Sequence, residues 1–157
     1  MGTFTVFDHT ADVGLEVRAE SLADLLATAA RAVFDQMLED WPAAAEVQED
    51  LRFEISDPLE EVRARSPMAT PEGDLGELLV VWLQELLYRF EARRLVPLSF
   101  DFAPARRRGE VRARVGFGRF DPARHRARLE VKAVTYHGLQ VREEPGGAWS
   151  ARFILDV

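Results

Sequence analysis

The sequence predicts an α+β fold: a two-layer sandwich of a mostly antiparallel sheet and two main helices. Three observations carry that prediction. Two stretches, about Leu22–Leu38 and Leu75–Phe90, repeat apolar residues at helical spacing. Most other apolar residues alternate with polar ones at period two. After Arg93-Arg94 the chain shows only strand patterns and turns, which is a meander. With 157 residues, 47% hydrophobic and 30% charged, the chain reads as one domain spanning residues 1–157.

The elements follow in order. Phe4–Phe7 and Val13–Ala19 read as paired strands around the turn Asp8-His9-Thr10-Ala11-Asp12. In the second strand Val13, Leu15, Val17 and Ala19 form the buried face, which leaves Asp12 on the wet one. Ser21 caps the first helix, with Asp24 three residues on, and Trp41-Pro42 ends it. Leu51, Phe53 and Ile55 alternate within a strand in Val47–Ser56. Residues 57–73, with three prolines, read as a hairpin or excursion. Asp74 opens the second helix and Glu77 completes a capping box. Its main stripe runs from Leu75 through Trp82 to Phe90. Val80 and Val81 spread apolar surface almost round it, so this helix should be central. Strands are expected over Val96–Phe102, Val111–Phe117 and Ala127–Thr135. Gly138 should make a turn into Leu139–Val141, and Pro145-Gly146-Gly147 a hairpin turn before a last strand from Trp149.

Composition excludes several functions. There is no cysteine, hence no disulfide, iron–sulfur cluster or thiolate zinc site. The N-terminus has no signal-peptide pattern and no apolar run is long enough to span a bilayer, so a cytoplasmic protein without membrane contact is expected. The net charge of −7 disfavours non-specific nucleic-acid binding. Of twenty basic residues only Lys132 is a lysine, leaving nineteen arginines. Two readings of that position stand: chance, or a requirement for an ammonium that a guanidinium does not meet.

The candidate chemistry is acidic. The turn at 8–12 reads either as a plain solvated loop or as an oxygen-rich site for a hard cation. The chain ends Leu155-Asp156-Val157, which puts a side-chain carboxylate next to the α-carboxylate of Val157. If the strands carrying Asp12 and Asp156 are neighbours, three carboxylates converge in a ligand set for Ca²⁺, Mg²⁺ or Mn²⁺; otherwise the two are unrelated surface aspartates. His9, His125 and His137 lack zinc-pair spacing. Arg106–Arg128 is a basic lobe interleaved with Phe117 and Phe120, read either as a solvated hairpin or as a surface for RNA or an acidic partner.

Four segments together resemble the archease family: Phe7-Asp-His-Thr-Ala-Asp-Val-Gly-Leu, Gly76-Glu-Leu-Leu-Val-Val-Trp-Leu-Gln-Glu-Leu-Leu-Tyr, Glu130-Val-Lys-Ala-Val-Thr-Tyr-His-Gly-Leu-Gln-Val and the terminal Phe153-Ile-Leu-Asp-Val. The resemblance covers essentially the whole chain in the family's order. It departs between about Ser56 and Gly73, where this chain is longer, and at Gln84, where Asn is commoner. It implies a protein cofactor, not an enzyme, that activates an RtcB-type RNA ligase in tRNA splicing and RNA repair. Such cofactors promote the ligase's guanylylation and multiple turnover and can broaden its nucleotide use. It implies a metal site at Asp12, Asp156 and Val157, holding Ca²⁺ in a crystal and Mg²⁺ or Mn²⁺ in the cell, and a functional Lys132. RNA would be met indirectly, through the ligase. The implied fold is a two-layer sandwich related to the main domain of a redox chaperone. Two other functions fit the residues: a metal-dependent phosphoesterase-type hydrolase using the same carboxylates, and an RNA-binding chaperone using the Arg106–Arg128 lobe.

Overall fold

The structure is a computed structural model that describes residues 2–9, 12–54, 72–104 and 110–157. The expected excursion at 57–73 therefore lies almost wholly outside the described residues, as do Thr10, Ala11 and the arginines 106–108.

The order is β1 (Thr3–His9), β2 (Asp12–Ala19), α1 (Leu22–Met37), β3 (Val47–Glu54), α2 (Glu72–Arg93), β4 (Leu95–Phe102), β5 (Glu110–Arg119), β6 (Ala133–Glu143) and β7 (Trp149–Asp156). The α+β expectation holds, with all strand pairs antiparallel. The strands form two sheets, one four-stranded in the order β1-β2-β7-β6 and one three-stranded in the order β3-β5-β4. Period-two patterning names the buried face of each strand but not its partner, so this division had no local signal.

Both helices touch both sheets. α1 packs on β1, β2 and β7 of one sheet and β4 of the other, and α2 packs on β6 and β4. α2 is central, as its apolar circumference requires: Leu78, Leu79, Trp82, Leu83 and Leu86 are all essentially inaccessible. The Trp82 indole N–H donates to the Leu26 carbonyl at 2.9 Å, joining α2 to α1. Its ring lies 5.5–6.1 Å from Phe53, Phe100 and Phe102 of the three-stranded sheet. α1 starts as expected, with the Ser21 hydroxyl accepting from the Asp24 N–H at 3.0 Å.

Three expectations are corrected. α2 begins at Glu72, so Asp74 lies inside the helix instead of opening it. Residues 127–132 are not a strand: Ala127 forms only an isolated bridge with Leu38. The Arg128 N–H donates to the Met37 carbonyl at 2.7 Å, and the Glu39 N–H to the Arg126 carbonyl at 3.0 Å. This segment is drawn to the end of α1 because the last carbonyls of a helix need donors from elsewhere. Gly138 is not a turn but part of β6, at φ +66° within a register shift between Thr135 and Gln140. β6 carries three more residues than β7 across that shift, and a Cβ added at Gly138 would lie 3.9 Å from Ile154.

Candidate functional site

β2 and β7 are neighbours, and their register decides the geometry. Val13 faces Leu155 and Gly14 faces Ile154. One further step along both strands sets Asp12 opposite Asp156, since each strand includes its aspartate. Side chains of opposed residues share a sheet face, with Cα atoms roughly 4.5–5.5 Å apart. Val13 and Leu155 point into the core. The two aspartates therefore stand together on the outer face, Asp12 half-buried and Asp156 exposed. On the far side of Asp156 stands Ala133 of β6, and His9 of β1 pairs with Asp12. The half-buried Val157 follows at the corner of the sheet.

Lys132 reaches the same corner through its backbone. Its N–H donates to the Asp156 carbonyl at 2.8 Å, and Ala133 pairs with the same residue. Two successive residues thus address one partner, the arrangement of a bulge. The burial phase records it: Val131 and Val134 are both buried, although strict alternation would put them on opposite faces. The Lys132 side chain is exposed and lines a cavity of about 810 Å³ between the end of α1, the C-terminal half of α2 and the 127–132 segment.

The donor chemistry fits a hard cation. The two facing carboxylates are hard-oxygen donors, and Val157 follows Asp156 directly. Among the described residues no three His, Cys, Asp or Glu side chains gather in a way that could hold a metal. A cation here would thus depend on Val157 and on water beside Asp12 and Asp156. The outer face next to them is ordered. The Phe7 ring lies over Gly14, where a Cβ would collide with it. The Arg152 guanidinium sits 3.9 Å from the centre of that ring and pairs with Glu16.

The other candidates do not gather here. His125 Nδ1 accepts the Asp121 N–H at 2.9 Å, which holds the 121–125 turn. In the basic lobe, Phe117 and Phe120 are buried and cannot stack on bases. Arg112, Arg114 and Arg119 lie within ion-pairing distance of Glu110, Asp50 and Glu46. Sequence reasoning missed the wall that faces Lys132 across the cavity, which carries Gln84, Tyr88, Glu91 and Arg94. Its one signal was that these residues fall off the apolar stripe of α2. No helix of the described residues is long and apolar enough to cross a membrane.

Comparison with known proteins agrees with the four sequence segments. The family described as "Archease protein family (MTH1598/TM1083)" matches residues 4–157. The archease of Methanopyrus kandleri is 35% identical over 153 residues, 96% of either chain. That of Pyrococcus furiosus is 28% identical over 153 residues, again 96% of either chain. The solution structure of Methanobacterium thermoautotrophicum protein 1598 superimposes with a TM-score of 0.70 at 26% identity, covering 98% of both chains. A match from residue 4 to residue 157, with relatives aligned over 96% of either chain and a solved structure of the same fold, makes this chain a member of the archease family.

Proposed function

We propose that this chain is a metal-binding protein cofactor that activates an RtcB-type RNA ligase by promoting its guanylylation and repeated turnover. The observation that carries the reading is the β2–β7 register, which sets Asp12 opposite Asp156 beside the chain's last residue. In this reading Asp12, Asp156 and the Val157 carboxylate hold a divalent cation at an exposed corner, Ca²⁺ or, in the cell, Mg²⁺ or Mn²⁺. The cation supplies positive charge where a nucleoside triphosphate reacts. The chain's own part is to place that corner against the ligase. The sheet fixes both aspartates, and the bond from the Lys132 N–H to the Asp156 carbonyl ties the lysine's position to theirs. The Lys132 ammonium then brings a second positive charge to the developing phosphate negativity. The RNA-binding chaperone reading is the weaker one, because Phe117 and Phe120 are core residues.

The test is guanylylation of the purified ligase from the same genome, timed with and without this protein. Wild-type protein should raise the rate, and Asp12→Ala and Asp156→Ala should be folded and inert. Full stimulation by either variant discards the mechanism. Phosphate-ester turnover by the isolated protein with Mg²⁺ or Mn²⁺ would favour the hydrolase reading instead.

A further inference from the structure

The chain has two tyrosines, Tyr88 and Tyr136, and both are about two-thirds exposed, at 65% and 64%. Every phenylalanine and tryptophan is buried or half-buried. The aromatic residues have thus been sorted by the hydroxyl, and one of the two that remain in water shares a cavity with Lys132. Tyr88 lines the same cavity as Lys132, and Tyr136 follows four residues later on β6.

The cavity's charge is also unusual for this protein. Arg94, Arg128 and Lys132 line it, and none has a carboxylate partner among the described residues. Arg94 lies over the Phe90 ring at 5.2 Å, and Arg128 makes only a long 3.5 Å contact to the Asp35 carbonyl. The arginines of the three-stranded sheet, by contrast, are matched to Glu110, Asp50 and Glu46. Glu91 and Glu130 share the cavity walls without closing onto these cations, so the wall keeps a net positive charge within a protein of net charge −7. Arg94 is also held at φ +55°, a conformation costly for a residue with a Cβ. Exposed tyrosines and arginines around an apolar floor are the composition of a protein–protein contact centre.

Resting on the activator reading, we infer that the cavity between α2 and residues 127–132, with Tyr88 as its aromatic anchor, docks an acidic, apolar-centred face of the ligase. Continuity with the carboxylate corner through Lys132 argues for this occupant. A partner seated on Tyr88 and Arg94 shares its cavity with Lys132, whose N–H bonds the Asp156 carbonyl. The Arg94 and Arg128 guanidiniums meet its carboxylates, which leaves the Lys132 ammonium for the phosphate.

The test measures binding of the purified ligase to wild-type protein, Tyr88→Ala, Arg128→Glu and a control, Arg124→Ala, together with each variant's divalent-cation affinity. Tyr88→Ala and Arg128→Glu should each weaken ligase binding about tenfold or more, as loss of a contact-centre residue does. Cation affinity and the control should match wild type. Ligase binding unchanged in both variants overturns the docking surface while leaving the activator reading intact. A wild-type protein that does not bind the ligase at all overturns both. Backbone amide shifts at 84–94 and 127–132 on titration with a free mononucleotide, at ligand concentrations where the ligase does not compete, would assign the cavity to a small ligand and also overturn the proposal.

Discussion

The Lys132 N–H donates to the carbonyl of Asp156 at 2.8 Å, while the next residue, Ala133, pairs with the same aspartate. The ammonium-bearing residue is therefore positioned by backbone bonding to a candidate ligand residue, whatever its side chain does. Lys132→Arg preserves that bond and the charge but exchanges a compact ammonium for a planar fork. The expected outcome is an unchanged thermal midpoint and unchanged divalent-cation binding, with ligase stimulation clearly reduced. Wild-type stimulation would mean that positive charge alone suffices.

Asp156 makes a second prediction, about stability. Two opposed carboxylates repel, so in chelator Asp156→Asn should be as stable as wild type or more so, by roughly 0.2–1 kcal/mol. With cation present the order reverses. At a free concentration about a hundred times the dissociation constant, wild type should gain about 2.7 kcal/mol, and the variant little. Thermal melts with and without Ca²⁺ or Mg²⁺ check both halves. Wild-type melts that ignore the cation would refute cation binding at this corner.

Much of this corner was legible before the structure. The parity of Val13, Leu15 and Val17 placed Asp12 on the wet face, and that of Phe153 and Leu155 placed Asp156 likewise. That β2 and β7 are neighbours was not legible, because residues 13 and 155 carry no local mark of each other. The bulge at Lys132 was hidden for a different reason. Ala133 and Val134 are both apolar, so the shift in burial phase leaves no break in the pattern. The 127–132 segment alternates like a strand, yet its Arg128 and Leu129 amides bond the Met37 carbonyl at the end of α1. Tertiary demand for donors at a helix end outweighed a local period-two signal. The cavity followed from that rearrangement and could not be read from α2 alone.

Trp82 sets the cost of disturbing the centre. It is fully buried, lies near three phenylalanines of the opposite sheet and bonds the Leu26 carbonyl. Trp82→Phe keeps an aromatic ring but leaves unfilled volume and removes the donor. A loss of about 2–4 kcal/mol is expected from denaturant unfolding. A loss below about 1 kcal/mol would show that the core recloses around the smaller ring.

Thr28 offers a gain. It lies on the buried face of α1 at 3% exposure, and its hydroxyl has no hydrogen-bond partner among the described residues. A buried unsatisfied hydroxyl costs about 1–3 kcal/mol. Thr28→Val replaces that oxygen with a methyl of nearly the same shape, so the variant should be more stable by about 1 kcal/mol. A destabilised variant would show that the hydroxyl has a partner in solution.

Arg94 closes α2 in the left-handed region, where glycine is the usual residue after a helix. Its N–H still donates to the Phe90 carbonyl at 2.8 Å, and its own carbonyl accepts the Phe120 N–H at 2.8 Å, so the backbone is held from both sides. Those bonds survive substitution, whereas the Cβ strain does not. Arg94→Gly should therefore gain about 1 kcal/mol from relief of strain, less whatever the guanidinium contributes over Phe90, about 0.5–1 kcal/mol at an exposed site. The net expectation is a stability equal to wild type or slightly above it, measured by chemical unfolding, alongside weaker ligase binding. A variant that loses more than about 1 kcal/mol would mean that Arg94 is kept for the fold, and that its strained backbone owes nothing to the cavity it lines.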